Sequence, residues 1–386
     1  MEVRVESLLK RSSILSLLCV VQVVGLCFSV SAVAKDPKAL EEEARASENP
    51  LVDWKVFPLV LYTPETSALF VLGGLVSASN PENPDDGKPS TMFAVGVLTL
   101  KRQLLSNVKG DLFFANASEN LQFFVSVAAL PTRFFPIGND SRLEDEEPLT
   151  IKGTNNNIAW LHRWSEFFFA GPQYYLIVSE HSEIDPDGVL AGGDRGSLVG
   201  SSEMRVSALG LKGRYDVRDH VVAPTSGGML EASMLFSEVL FGSATRFSQF
   251  GLDGRYFISP WGPDHVLGLR MNGVLSGGDV PFNVMPFLGG QYANRGYIAK
   301  LYKDKSMLSL QGEYRMKAFW RLGVVGFAGI GQVMREPGEF GFERFHPSGG
   351  VGARVMLIKR SRLNLRADLG ISSSGPNVYV GVQEAF

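Results

Sequence analysis

Residues 307–317 read Met-Leu-Ser-Leu-Gln-Gly-Glu-Tyr-Arg-Met-Lys, and from Ser309 to Lys317 every second residue is polar or charged. Side chains of a β-strand point alternately to its two faces, so this run predicts a strand with one polar and one apolar face. The same alternation recurs in residues 121–128 and 363–371. The period of two therefore predicts an all-β fold.

The composition agrees with a fold made of sheets. The chain has 386 residues, of which 42 are glycine and 26 are phenylalanine. Glycine costs roughly 1 kcal/mol relative to alanine inside a helix, whereas twisted sheets and barrels accept it. The formal net charge of -3 gives no indication of nucleic-acid binding.

The N-terminal residues 1–34 are typical of an export signal. Lys10 and Arg11 precede an apolar run over residues 14–30, and Ala32-Val33-Ala34 fits a cleavage site for a signal peptidase. An uncleaved anchor helix is the alternative interpretation. Both cysteines of the chain, Cys19 and Cys27, fall in this segment, so no disulfide is expected in the mature protein. Residues 35–53 then form a short polar tail, which we expect in the periplasm.

Sixteen strand-like segments follow, and their length decides between a soluble sheet and a membrane barrel. They are long, they continue to the last residue without a helical interlude, and their number is even, as in bacterial transmembrane barrels. We therefore predict a transmembrane antiparallel β-barrel of about 16 strands over residues 54–386, located in the cell outer membrane. A soluble all-β domain is the alternative. The predicted strands are 55–63, 66–79, 89–101, 107–117, 120–129, 149–163, 166–177, 204–217, 226–240, 243–258, 263–275, 306–318, 321–333, 345–358, 361–372 and 376–386.

The connections predict which way the barrel faces. Short turns and three of the five tryptophans fall at one rim, which we assign to the periplasm, and most long connections fall at the other. The first three strands break this rule, because the polar segment 81–88 falls at the periplasmic rim. We therefore expect the strand assignment to slip by one in this region.

The last strand carries a candidate insertion signal. Val378, Val380, Val382 and the final residue Phe386 share one face of the alternating pattern. A terminal aromatic residue on such a strand is the signal through which bacterial barrels are recognised by the barrel assembly machinery, so we expect that machinery as a partner. Glu384 is the exception on this face, and we expect it near the lipid headgroups. A final strand of a soluble sheet is the alternative.

The chain offers little evidence of catalysis. Its five histidines are scattered, and none is paired at the spacing of metal ligands. No nucleophile motif or phosphate-binding loop occurs. Asp185-Pro186-Asp187-Gly188 is an acidic loop that fits either a calcium site or a solvated loop. We expect neither enzymatic activity nor a cofactor.

One segment interrupts the alternation. Residues 286–297 read Pro-Phe-Leu-Gly-Gly-Gln-Tyr-Ala-Asn-Arg-Gly-Tyr, which combines apolar bulk with glycine and a single arginine, Arg295. A surface loop does not need this apolar bulk, and a core strand does not tolerate this much glycine. We therefore predict a loop that folds into an interior.

Five motifs of the chain resemble those of the BamA/TamA-type barrel, also called the bacterial surface antigen family, and they occur in the same order as in that family. Arg295-Gly296-Tyr297 is similar to the family's loop motif, which follows the eleventh strand. Glu313-Tyr314-Arg315 is similar to its twelfth strand, and residues 327–331, which begin with Phe327 and end with Gly331, to its next motif. The two others are residues 216–227 and the final strand. The resemblance covers residues 55–386.

The resemblance implies that the loop enters the lumen and that Arg295 contacts Glu313, which the strand alternation also places on the lumen side. The family has a second acidic partner at the position of Gly329, so we expect Glu313 to be the only acid here. The short tail also leaves no room for the periplasmic POTRA domains of related proteins.

The family's function is the insertion or transport of outer-membrane proteins or lipids, which is the leading hypothesis. The expected partners are outer-membrane lipids and a periplasmic or outer-membrane protein substrate. A passive pore and a structural surface antigen without transport are the alternatives.

Overall fold

The computed structural model describes residues 52–63, 67–78, 90–100, 103–114, 117–192, 198–201, 203–358 and 362–386. The predicted signal segment and residues 35–51 of the predicted tail lie outside these ranges. Among the described residues, no helix is long and apolar enough to cross a membrane.

Sixteen antiparallel strands of the described chain form a closed barrel, and each pairs with its neighbours in sequence order. The prediction of an all-β barrel of about 16 strands is therefore confirmed. The strands are β1 (Val52–Thr63), β2 (Ser67–Ala78), β3 (Ser90–Thr99), β4 (Leu104–Phe114), β5 (Glu119–Phe134), β6 (Glu147–Arg163), β7 (Phe168–Ser182), β8 (Glu203–Asp216), β9 (Gly227–Ser237), β10 (Phe247–Ile258), β11 (His265–Gly278), β12 (Ser306–Phe319), β13 (Leu322–Met334), β14 (His346–Ile358), β15 (Leu363–Ser372) and β16 (Gly375–Val382). Short 3-10 helices lie in the connections, at Leu143–Asp145, Val239–Phe241, Pro337–Glu339 and Phe342–Arg344.

The first three strands follow the sequence order without a shift. Val52 pairs with Ala78, and Ala78 in turn pairs with Ser90, so the ends of these strands are aligned. The expected slip by one strand in this region is wrong.

Side chains alternate between the lumen and the lipid-facing surface, as a barrel requires. On β12 the odd-numbered residues from Met307 to Arg315 are buried in the lumen, and Leu310 is exposed on the outer face. The buried members are Met307, Ser309, Gln311, Glu313 and Arg315. The polar face of the stretch 307–317 is thus the lumen face.

All five tryptophans are exposed and lie at the rim of the short turns. Three are in the turns that follow β6, β10 and β12, and the other two are near the rim ends of β1 and β6. Tryptophan is enriched at membrane–water interfaces, which supports the assignment of this rim to an interface. The five are Trp54, Trp160, Trp164, Trp261 and Trp320.

The long connections fill the opposite half of the lumen with apolar side chains. Phe135, Tyr302 and Val333 belong to one buried cluster, and Phe134 and Phe282 belong to another. The connections thus form a core inside the barrel wall.

The junction between β1 and β16 differs from the other strand pairs. Its described pairing joins Tyr62 to Val380, whereas β16 pairs with β15 over eight residues, from Leu365–Val382 to Ser372–Gly375. The barrel is therefore closed through a short contact in the described residues.

Candidate functional site

Residues 286–305, between β11 and β12, fold back into the lumen, and we call them the inner loop. Its two ends pair as short antiparallel strands, Phe287–Leu288 with Tyr302–Lys303. Gly289 and Gly290 follow the first of these with φ of +96° and +81°. Glycine adopts this left-handed conformation without steric cost, and the chain can therefore turn sharply into the barrel.

Arg295 fixes the inner loop to the barrel wall, and only 1% of its surface is exposed. Its Nη2 donates to Glu313 Oε2 on β12 at 2.6 Å, and its Nη1 donates to Asp368 Oδ2 on β15 at 3.0 Å. The guanidinium carbon lies 3.8 Å from the ring centroid of Phe327 on β13. Three strands thus hold one side chain, through two charge-assisted hydrogen bonds and a cation–π contact. We call this arrangement the Arg295 pin.

The expectation that Glu313 is the only acidic partner of Arg295 is wrong, because Asp368 is the second partner. A side chain at Gly329 has little room, since its Cβ would lie 3.0 Å from Gln311 Cγ and 3.2 Å from the Leu310 carbonyl oxygen. The second acid comes instead from β15. The alternation of residues 363–371 already put Asp368 on the polar face, but the sequence does not reveal which strands the loop reaches.

The two residues after Arg295 bind the wall through their backbone carbonyl oxygens. The carbonyl oxygen of Gly296 accepts from Ser372 Oγ on β15 at 2.9 Å and from Asn377 Nδ2 on β16 at 2.6 Å. The carbonyl oxygen of Tyr297 accepts from the Tyr379 hydroxyl on β16 at 2.7 Å. The loop motif therefore contacts the last two strands of the barrel directly.

Two motif residues of β13, Phe327 and Gly331, also lie against the inner loop. The guanidinium of Arg295 lies over the ring of Phe327. A Cβ at Gly331 would lie 2.6 Å from Leu288 Cδ2 and 2.7 Å from Asn294 Nδ2, so glycine provides the room for the loop at this position.

Three further arginines, which the sequence did not single out as site residues, hold the two acids of the pin. Arg315 Nε donates to Glu313 Oε1 at 2.5 Å. Arg354 Nη1 donates to Asp368 Oδ1 at 2.6 Å, and Arg366 Nη1 donates to Asp368 Oδ2 at 3.1 Å. Buried charges are stable only when they are paired and hydrogen-bonded. Both carboxylates of the pin meet this condition.

The C-terminal residues are only partly where the sequence predicted them. Val378 is exposed on the lipid face, and Val380 and Val382 are half-buried on the same face of β16. Phe386 is buried in the lumen, where its ring lies 6.3 Å from that of Phe257, so the expectation that it shares the valine face is wrong. The strand ends at Val382, and the next residue, Gln383, has φ of +70°, which turns the chain inward.

Glu384 also lies inside the barrel, so the expectation that it lies near the lipid headgroups is wrong. It is 7% exposed and accepts hydrogen bonds from Arg354 Nε and Asn364 Nδ2 at 2.8 and 2.6 Å. These two lumen side chains pair with the carboxylate of Glu384, which the strand pattern alone had placed on the face of the valines.

The remaining candidates do not converge on a site. Within the ranges that the structure describes, no group of three His, Cys, Asp or Glu side chains is close enough to hold a metal ion. In the acidic loop, the Asp187 amide donates to Asp185 Oδ1 at 3.0 Å, which is a local turn contact.

Comparison with known proteins indicates the class of protein to which this barrel is similar. Residues 188–377 match the Omp85 superfamily domain. BamA from Haemophilus ducreyi lacking POTRA domains 1–3 is similar in structure, with a TM-score of 0.56 and 11% identity over 86% of this chain and 70% of that chain. CdiB from Escherichia coli has a TM-score of 0.54 and 12% identity over 89% and 69% of the two chains. CdiB from Acinetobacter baumannii has a TM-score of 0.52 and 13% identity over 86% and 60%.

At such identities these structures establish the fold alone. Among proteins with curated descriptions, none is significantly similar to the chain in sequence.

The fold and the inserted loop together define an outer-membrane β-barrel with an internal loop. Residues 188–377 of the chain form an Omp85 superfamily domain, and the barrel fold shared with BamA and CdiB agrees with this assignment. The resemblance inferred from the motifs is thereby confirmed, and so is the location in the outer membrane of a Gram-negative cell.

Proposed function

We propose that this barrel takes part in the insertion or transport of outer-membrane proteins or lipids. The substrate would contact the lumen and the junction between β1 and β16. The observation that carries the proposal is the attachment of the inner loop to β15 and β16 through Gly296 and Tyr297. The loop thereby controls the position of the last strand, which is one side of the junction.

The junction has the chemistry that a substrate strand needs. A strand edge with unpaired backbone groups is a template for another strand. In the described residues, β16 is bound to β15 over eight residues and to β1 through Tyr62 and Val380. Opening the junction therefore costs few backbone hydrogen bonds, and the free edge of β16 remains supported from the lumen by the inner loop.

The lipid-facing surface supports the participation of lipids. Tyr62 and Val378, on the two strands of the junction, are each 43% exposed. A substrate that leaves the barrel at the junction enters the bilayer directly. The barrel assembly machinery remains a proposed partner through β16, as do membrane lipids along the outer face.

Photo-crosslinking in living cells tests the proposal. A photoreactive residue replaces Tyr62 at the junction or, as the control, Leu211, which is 66% exposed on the lipid-facing side of β8. We expect adducts with newly made outer-membrane proteins, or lipid adducts, at Tyr62 and at least several-fold fewer at Leu211. Equal yields at both positions, or none at Tyr62, would contradict the proposal. The mass of the adduct separates protein from lipid.

A further inference from the structure

The last four residues, Gln383–Phe386, occupy a binding site in the mouth of the lumen at the rim of the short turns, and we call them the C-terminal tail. The amide of Gln383 donates to the carbonyl oxygen of Asn364 at 2.8 Å. Phe386 packs with Phe257 and Val266 in one buried cluster. Such apolar contacts and backbone bonds are those of a bound peptide.

Two lumen arginines hold the polar groups of the tail. Arg315 Nη2 donates to the backbone oxygen of Phe386 at 2.7 Å, and Arg354 Nε donates to Glu384 Oε2 at 2.8 Å. Arg315 also donates to the carbonyl oxygen of Pro224, in the turn between β8 and β9, at 3.2 Å. The tail and this turn therefore share one anchor at the mouth.

The same two arginines hold the acids of the Arg295 pin. One relay runs from Arg295 to Glu313, then to Arg315 and the tail oxygen of Phe386. The other runs from Arg295 to Asp368, then to Arg354 and the tail carboxylate of Glu384. Each acid thus lies between the inner loop on one side and an arginine that binds the tail on the other.

Glycines in the wall make these contacts possible. A Cβ at Gly352 on β14 would overlap the Asp368 carboxylate. A Cβ at Gly381 on β16 would lie 2.8 Å from Gln291 Oε1 and 3.3 Å from Arg366 Nε. The buried charges therefore lie directly against the backbone, with little free space into which they could relax.

We propose that the C-terminal tail is an internal ligand of the lumen whose binding is coupled to that of the inner loop through the two acid–arginine relays. The charge balance gives the sign of the coupling. In the network, the side chains of four arginines face three side-chain carboxylates: the arginines are Arg295, Arg315, Arg354 and Arg366, and the acids are Glu313, Asp368 and Glu384.

Removing Arg295 leaves three guanidinium groups for three carboxylates. Glu313 and Asp368 then draw Arg315 and Arg354 toward the space that Arg295 occupied, and the tail loses its two donors. Removing the charge of Glu384 has the reciprocal effect. Four arginines then share two carboxylates, so the repulsion among the arginines increases. The inner loop is the segment that can move away, and it carries Arg295 with it. Coupling between two binding events is reciprocal by thermodynamic necessity.

Hydrogen–deuterium exchange of the folded full-length barrel in detergent tests the coupling, since peptides from both segments are measured in one digest. We expect Arg295→Ala to speed exchange in residues 383–386 at least tenfold, and Glu384→Gln to speed exchange in the inner loop by a similar factor. Arg214→Ala is the matched control, because it breaks another buried lumen ion pair, with Asp111, outside the relays. It should leave both segments unchanged.

Two results would overturn the proposal. In the first, Arg295→Ala frees the inner loop while exchange in the tail stays at the wild-type rate. In the second, Glu384→Gln frees the tail alone. Exchange of the β5–β6 amides reports whether each variant is folded. Arg295→Lys, which keeps the charge but not the two-pronged geometry, replaces Arg295→Ala if the latter does not fold.

Discussion

One missing side chain decides whether the inner loop can lie against the wall. A Cβ at Gly370 on β15 would lie 2.7 Å from the amide nitrogen of Gly296 and 2.8 Å from its Cα. Both neighbours are backbone atoms, which cannot rotate away as the end of a side chain can. We therefore expect Gly370→Ala to displace the inner loop and to speed its cleavage by an added protease at least tenfold in the folded barrel.

The control for this substitution is Gly326→Ala on β13. A Cβ at Gly326 meets no atom within 4 Å, so the added methyl group should leave the cleavage rate of the loop unchanged. Equal cleavage rates for wild type and Gly370→Ala would show that the loop does not depend on this close approach.

Residue contacts within one strand and its preceding loop could be predicted from the sequence, whereas contacts between distant strands could not. The alternation of β12 put Glu313 in the lumen, and the motif put Arg295 beside it. Asp368 was visible as a polar residue of an alternating strand, but its contact with Arg295 spans 73 positions of the chain. Such a contact depends on how the barrel closes, which a local pattern does not encode.

At the scale of elements, a histidine whose protonation depends on pH stabilises the turn between β8 and β9. His220 Nδ1 accepts hydrogen bonds from the amides of Val222 and Ala223 at 3.1 and 3.3 Å. Burial, together with the charge of nearby Arg362, lowers the pKa of His220 from 6.5 to about 4. A protonated ring nitrogen cannot accept, so the neutral form supports the turn.

The sign of the pH effect follows from the lowered pKa. The unfolded chain binds the proton more readily than the folded one between the two pKa values, so folding is less favoured as the pH falls. The stabilisation by His220 is complete above pH 6.5 and is lost as the pH falls through about 4. We expect His220→Asn, whose amide oxygen accepts but does not titrate, to reduce the fall in melting temperature between these pH values. An identical fall in both proteins would contradict this assignment.

Element ends were harder to predict than element existence. The last strand was expected to reach residue 386 but ends at Val382, because Gln383 adopts a left-handed conformation. Nothing in the residue type of Gln383 demands this turn; the buried partners of Glu384 and Phe386 supply the reason. By contrast, β5 extends to Phe134, five residues beyond its predicted end, because it stays paired with β6 as far as Glu147.

At the scale of the whole molecule, the inner loop enters the lumen from the side of the long connections and the C-terminal tail from the rim of the short turns. We therefore expect the purified barrel to have low conductance in planar bilayers and Arg295→Ala to raise it several-fold, since the loop is no longer held. A passive pore would instead show a large conductance that the substitution does not change. Heat-modifiable mobility in gels verifies that both samples are folded barrels.

The architecture could be predicted from the sequence because each strand repeats the same physical constraint. A chain that crosses hydrocarbon as strands must close into a barrel and must alternate, and the alternation is visible in segments such as 121–128 and 307–317. The contents of the lumen obey no such rule. They depend on individual glycines and charges, such as Gly370 and Arg354, that look ordinary in a strand.

The placement of the tryptophans at a single rim gives the protein a one-sided optical probe. All five indole rings lie at one water–membrane boundary, and none lies among the outer connections. Intrinsic fluorescence therefore reports hydration and lipid quenching at that boundary only. The tail and the turn between β8 and β9 lie at the same rim as these rings, whereas the outer connections lie at the opposite rim and contain no tryptophan.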